Sequence, residues 1–257
     1  MGSVPVPVRV AAVSYLNAQP LVLGLRRNLA DEVTLVLDFP SRLPPLLASG
    51  AVDIALLPVA AMPQIPGARL AADYGIAADG AVASVGLFSQ VPMDQIEEVV
   101  LDYQSCTSVA LARLLLRDFW RRDVVFFAAQ PGYIGEISGN RAGVIIGDRA
   151  LQERDRFAHR WDLAAAWKEW TGLPFVFAAW TRVRELPAGF VGRFNAANED
   201  GLRHIAEVVA DHAGAAYDVA AYFRDNLRFR LDARMHEGMA LFLRRAATLP
   251  DRPAPPA

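Results

Sequence analysis

The apolar positions along the chain alternate between strand-like and helical spacing, and each change of spacing predicts a new element. The run Val10-Ala11-Ala12-Val13, within Arg9 to Ser14, is continuous and apolar, as a strand buried on both faces should be. Leu21, Leu25 and Leu29 recur at helical spacing and predict a helix over 18–29. Val33 to Phe39 alternates as a strand. Arg42 to Ser49 reads as a short helix, with Gly50 at the position after its C-cap. Asp53 to Leu57 is again a strand, stopped by Pro58. This βαβαβ order with short connections predicts a parallel sheet covered on both faces.

The middle of the chain repeats the theme. Arg69 to Phe88 is strand-like but irregular, punctuated by Gly75, Gly80 and Gly86, and Ala83 to Ser89 within it reads as strand. Val99 to Asp102, Val124 to Phe127 and Gly143 to Ile146 read as strands. A helix is predicted over 107–120 from Val109, Leu111, Leu114, Leu115 and Phe119. Phe175 to Thr181 reads as a strand leading back to the first unit. Pro187 to Leu249 is mostly helical, with Asn226 to Phe229 as its longest strand, and the Pro-rich tail from Pro250 to Ala257 is expected to be disordered. The predicted fold class is therefore α/β with two lobes. Residues 1–89 and 176–257 form a discontinuous first lobe, and 90–175 form the second. The chain is expected to cross near Phe88–Pro92 and Leu173–Phe177. A cleft between the lobes would gather strand carboxyl ends and helix starts, where open α/β sheets bind ligands.

Composition narrows the function. The chain has 257 residues, 53% hydrophobic and 21% charged, and a net charge of -2, which fits a soluble globular protein. That balance gives no footprint for nucleic acid or an anionic membrane. The start lacks a basic leader, and no apolar run reaches the roughly 18 residues a spanning helix needs, so no membrane insertion and a cytoplasmic location are expected. Only Lys168 is a lysine, against 25 arginines, and it follows no glycine-rich phosphate loop. The single Cys106 excludes an intrachain disulfide. His159, His204, His212 and His236 show no metal-ligand spacing, so neither a metal nor a cofactor is expected.

Several polar segments follow predicted strands. Asn17, in Ser14-Tyr15-Leu16-Asn17, can face the cleft, where its amide would donate and accept hydrogen bonds, or it can cap the first helix. Ser105, Thr107 and Ser108 gather three hydroxyls at a helix start, an arrangement suited to a carboxylate or phosphate or simply to capping. Ser84 and Ser89 fall on opposite faces of a strand by strict alternation, and either can be an ordinary hydrogen-bonded hydroxyl. Asp148, after Val144-Ile145-Ile146-Gly147, can orient a ligand hydroxyl or cap the helix that follows. The aromatic residues Trp161, Trp167, Trp170, Phe175, Phe177 and Trp180 are expected to pack the hinge and core.

Taken in order, six segments resemble the chorismate dehydratase family, which opens the futalosine route to menaquinone. They are Ser14–Leu21, Gly50–Val59, Ile76–Val85, Leu101–Ala110, Ile146–Asp148 and Trp167–Ala178. The resemblance implies the type II periplasmic-binding-protein fold and the loss of water from chorismate to give 3-[(1-carboxyvinyl)oxy]benzoate, a carbon–oxygen lyase (hydro-lyase) reaction. It implies Asn17 and Ser84 as catalytic residues, and Leu57-Pro58-Val59 with Thr107 and Ser108 as substrate-holding segments. The family pattern leads one to expect Arg where this chain has Gln19. A sister branch that forms a dihydroxynaphthoate carries a histidine just after the strand that here ends at Ile146. This chain has Gly147-Asp148 there. The competing expectation from a different class is a solute-binding protein for a small carboxylate, which would bind without turnover.

Overall fold

A computed structural model describes residues 7–250. The first residues of the leader reading (1–6) and the tail from 251 lie outside the described residues. The chain opens with β1 (Val8–Val13), α1 (Gln19–Asn28), β2 (Val33–Asp38), α2 (Leu43–Ala48), β3 (Ile54–Pro58) and β4 (Arg69–Ala78). Next come β5 (Val85–Ser89), β6 (Glu98–Leu101), α3 (Thr107–Leu114), β7 (Val125–Ala128), β8 (Arg141–Ile146) and α4 (Asp148–Gln152). They are followed by β9 (His159–Asp162), α5 (Leu163–Thr171) and β10 (Phe175–Arg182). The last part holds α6 (Phe190–Arg203), α7 (Ile205–Asp211), α8 (Val219–Ala221), β11 (Arg228–Arg230) and α9 (Ala233–Ala246). A π-helical turn, Tyr222–Asn226, continues α8.

Two sheets result, ordered β11-β4-β10-β3-β1-β2 and β7-β6-β8-β5-β9. The opening βαβαβ unit is parallel, β1 pairing with both β2 and β3. Strand β10 returns antiparallel between β3 and β4, which joins the end of the chain to its beginning. In the second sheet β6 runs parallel to β7 and β8, while β5 is antiparallel to β8 and β9.

Strand β5, expected with the first lobe, is a member of the second sheet, with Val85 opposite Ile146 and Ser89 opposite His159. The chain therefore leaves the first sheet within 79–84, ahead of the expected crossing at Phe88–Pro92, and returns at 172–174 between α5 and β10. All five residues of β5 are buried, so its sequence holds no alternation to say which sheet it joins. Ala83 and Ser84, read as strand, precede β5, and Ala83 takes a φ of +62°. Strand β9 had no counterpart in the sequence reading.

One large core runs through both sheets, with a smaller cluster around Phe88, Tyr133 and Phe157. The tryptophan-rich segment packs as expected. Trp167 meets Phe175 edge-on at 5.5 Å, and Phe175 meets Phe242 of α9 at 4.9 Å. Each such burial stabilises by roughly 1.5–3 kcal/mol. Helices α1 and α6 approach closely at two glycines. A Cβ on Gly24 would lie 1.9 Å from the carbonyl oxygen of Ala197, and one on Gly201 would lie 1.9 Å from that of Pro20. Among the described residues no helix is long and apolar enough to cross a membrane.

Candidate functional site

The carboxyl ends of β1, β3 and β8, the start of α3 and the 82–85 segment surround a cavity of about 490 Å³, its open mouth included. Val13, Ile76, Val85, Ile146 and Phe177 give it apolar walls, and its polar lining comes from Tyr15, Asn17, Ser84, Ser105, Thr107 and Ser108. Among the described residues no charged side chain lines it.

Asn17 lies in a 3-10 turn, Leu16–Ala18, between β1 and α1. The N-cap of α1 is Ala18, and no side chain caps it, so Asn17 is not spent on capping. The Asn17 Oδ1 atom is buried and has no hydrogen-bond partner among the described residues. A buried acceptor left this way costs about 1–3 kcal/mol. The turn is held from the second sheet, because the Leu16 amide donates to Asp148 Oδ1 at 3.1 Å.

Ser84 is fully buried. Its Oγ accepts from the Tyr222 hydroxyl at 2.8 Å, and its carbonyl accepts from the Gly147 amide at 2.8 Å. Burial holds the Tyr222 phenol well above the ordinary phenol range, with the Ser84 and Asn17 side chains pulling weakly the other way. Asp162 shapes the approach to Ser84. Its carboxylate accepts from the Val82 and Ala83 amides at 3.1 and 2.7 Å and caps α5 through the Ala164 and Ala165 amides, both at 3.0 Å. That clamp holds Ala83 at its positive φ, a conformation a residue with a Cβ adopts only at a cost.

The three hydroxyls at the start of α3 all reach the cavity wall. Ser105 Oγ accepts from the Ser108 amide at 3.0 Å, a local cap. Thr107 Oγ1 accepts from the Ala60 amide at 3.2 Å and ties α3 to the turn after Pro58. Of Leu57, Pro58 and Val59, only Pro58 lines the cavity, and the other two are wholly buried in the core. Asp148 is the first residue of α4, and Gly147 beside it lines the wall where Asp148 does not. Burial raises the pKa of Asp148, with the Leu16 amide opposing. Gln19 also lies off the cavity, its Nε2 3.4 Å from His212 Nε2.

The sequence reading missed Tyr15, Tyr222 and a polar cluster behind the wall. In that cluster Arg149 Nη2 donates to Asp102 Oδ2 and to Gln104 Oε1, each at 2.7 Å. Tyr133 donates to Asp102 Oδ2 at 2.8 Å and the Gln104 amide to Asp102 Oδ1 at 2.7 Å, while the Tyr15 hydroxyl donates to Gln104 Oε1. The Arg149 guanidinium also lies 5.6 Å over the Tyr103 ring. Gly147 closes the wall against Tyr15. It adopts a φ of +66°, and a Cβ there would stand 2.9 Å from the tyrosine ring. The strand-end Asp102 beside Tyr103 and Gln104 was the available signal, since a buried acid at that position needs donors. Among the described residues no group of acids, histidines and cysteines could hold a metal ion.

A family model described as menaquinone biosynthesis matches residues 8–248. A chorismate dehydratase from Thermus thermophilus is 29% identical over 251 residues, covering 89% of this chain and 91% of the relative. Among solved structures, a protein from Archaeoglobus fulgidus aligns with a TM-score of 0.73 at 14% identity, over 94% of this chain and 95% of that one. A Candida albicans protein described as having the generic periplasmic binding protein fold aligns with a TM-score of 0.70 at 11% identity, over 97% and 92%. The alkanesulfonate-binding protein SsuA of Xanthomonas axonopodis, bound to MOPS, aligns with a TM-score of 0.65 at 14% identity, over 97% and 96%. These structural likenesses establish the periplasmic-binding-protein fold.

Proposed function

Because the chain belongs to the menaquinone biosynthesis family, we propose that it is a chorismate dehydratase, a hydro-lyase that converts chorismate to 3-[(1-carboxyvinyl)oxy]benzoate and water at the head of the futalosine route. The observation that carries this reading is the partnerless Asn17 Oδ1 on a cavity wall without charged side chains. A ligand hydroxyl is the natural donor to that oxygen, and chorismate has one on the ring carbon that must lose it.

The chemistry asks for orientation more than for a strong base. The C–H bond on the ring carbon beside the hydroxyl breaks, its electrons become a ring double bond, and the neighbouring C–O bond breaks. The hydroxyl leaves as water once it has gained a proton, and aromaticity drives the reaction. An uncharged amide or hydroxyl is a poor general base, so the proton passes to a carboxylate of the substrate itself. Asn17 Oδ1 accepts from the departing hydroxyl and orients it, while the Ser84 hydroxyl donates to its oxygen as charge grows there. Ser105, Thr107, Ser108 and the positive start of α3 take a substrate carboxylate. The charge-free lining leaves the two carboxylates of chorismate as the dominant charges in the cavity, so one can serve as base without being neutralised by a protein cation. Asp148 supports the Asn17 turn through Leu16 rather than meeting the substrate.

Purified protein mixed with chorismate, followed by chromatography and mass, should yield an aromatic product lighter by one water. Thermal stabilisation by chorismate without any product would support the solute-binding reading instead. Turnover of a later, naphthoate-forming substrate with no action on chorismate would move the chain to the sister lyase.

A further inference from the structure

We propose that Tyr222 is a positioning residue that makes Ser84 a hydrogen-bond donor to the substrate beside the Asn17 acceptor, so that the site is wired for one hydroxyl. This rests on the dehydratase reading above and specifies how its two polar groups are set.

The argument follows the protons. A tyrosine hydroxyl has one proton to give, and Tyr222 gives it to Ser84 Oγ at 2.8 Å. Tyr222 is buried on the π-helical turn that continues α8, and burial keeps its phenol protonated across the working range of pH. With an acceptor site of Oγ occupied by that proton, the Ser84 hydroxyl directs its own proton elsewhere. Among the described residues it has no acceptor, and Ser84 lines the cavity. The Tyr222 oxygen can then only accept. Asn17 Oδ1, on the same cavity wall, is a buried oxygen without a partner among the described residues.

The phenol and the serine thus form a relay of fixed polarity, which with Asn17 Oδ1 presents one donor and one acceptor to the cavity. A hydroxyl satisfies both ends at once, since it accepts from Ser84 and donates to Asn17. A carbonyl, an ether oxygen or a carboxylate can meet Ser84 but leaves Asn17 Oδ1 buried and unpaired. The relay therefore selects for the hydroxyl that leaves and aims the serine proton at the oxygen that departs.

The test is a double-mutant cycle on chorismate turnover with wild type, Tyr222→Phe, Ser84→Ala and the double variant. Phenylalanine keeps the ring and removes the hydroxyl that orients Ser84. Tyr222→Phe should lower kcat by about tenfold, roughly what one misaligned hydrogen bond is worth, while KM and the melting temperature change little. In the Ser84→Ala background the same change should cost no further kcat, because its only target is gone. Equal losses in both backgrounds, or a loss confined to KM, would overturn the relay. So would an unchanged kcat in Tyr222→Phe with wild type active. A wild type inactive on chorismate overturns the substrate reading and the relay with it, and is told apart by the first assay.

Discussion

The cavity wall and the cluster directly behind it use polar residues in opposite ways. Behind the wall, Asp102 receives donors on both carboxylate oxygens, from the Gln104 amide on one and from Tyr133 and Arg149 on the other. On the wall, among the described residues, charge is absent and Asn17 Oδ1 has no partner. The first arrangement spends charge on holding the strand ends of the second sheet against Tyr15 of the first. The second leaves hydrogen-bonding capacity open where the proposed substrate's hydroxyl would meet it. The contrast teaches where the protein keeps its rigidity and where it keeps its affinity. Charges placed on the wall would compete with the ligand's own, and the same charges one layer back give the wall its shape.

The comparison breaks most sharply at Arg149. Arg149→Met leaves Asp102, which is 0% exposed in its side chain, without its cation. Removing one partner of a buried pair costs about 3–5 kcal/mol, and urea denaturation should read a loss of that order. A loss under about 1 kcal/mol would put the cluster in the class of surface ion pairs and dissolve the contrast.

Asn17 is expected to behave in the reverse manner. Asn17→Ala should lower kcat/KM for chorismate about a hundredfold, as loss of one preorganised group does. The fold should melt at the same or a slightly higher temperature, because a buried acceptor without a partner is removed. Kinetics and melting curves on the same preparation check both halves. A clear loss of stability with activity intact would make Asn17 a scaffold residue and erase the distinction between the layers.

Asp148 gives the smallest effect and sharpens the boundary between them. Asparagine keeps an oxygen for the Leu16 amide, so Asp148→Asn should retain turnover. Burial raises the pKa of Asp148 in the folded chain, so the folded state holds that proton more tightly than the unfolded state. The carboxyl's contribution is then fully present below its unfolded pKa and is lost as pH rises through the raised folded pKa. Melting curves across that window should show wild type losing ground to Asp148→Asn as pH rises. A gap that widens in favour of wild type would mean that the charged hydrogen bond to Leu16 outweighs the cost of burial.

Much of the scaffold was legible in the sequence, because strands such as β1, β3 and β8 are continuous buried runs and α1 repeats every turn. Strand β9, His159-Arg160-Trp161-Asp162, was not. It is an edge strand of half-exposed polar residues, and nothing in its pattern separates it from a loop. The placement of β5 was hidden for the opposite reason, since a fully buried strand has no polar face to orient it. Within the site, Asn17 and Ser84 stood out through resemblance, and the hydroxyls of α3 through their position at a helix start. Tyr222 carried no signal. Its partner Ser84 lies 138 residues away in sequence, and a tyrosine in an apolar helical stretch looks like core. The same distance in sequence hid Gln104 from Tyr15, 89 residues apart.

The long reach between Tyr222 and Ser84 has a further consequence for the order in which the protein is made. A chain emerges from its amino end at roughly 5–20 residues per second, so both sheets except β11 can be complete before the segment that aims the serine has been synthesised. A nascent chain halted ahead of that segment would own a cavity wall with its hydroxyls in place and no instruction for the serine proton. On the proposed role of Tyr222, a chain that folds as it is made acquires the polarity of its site last.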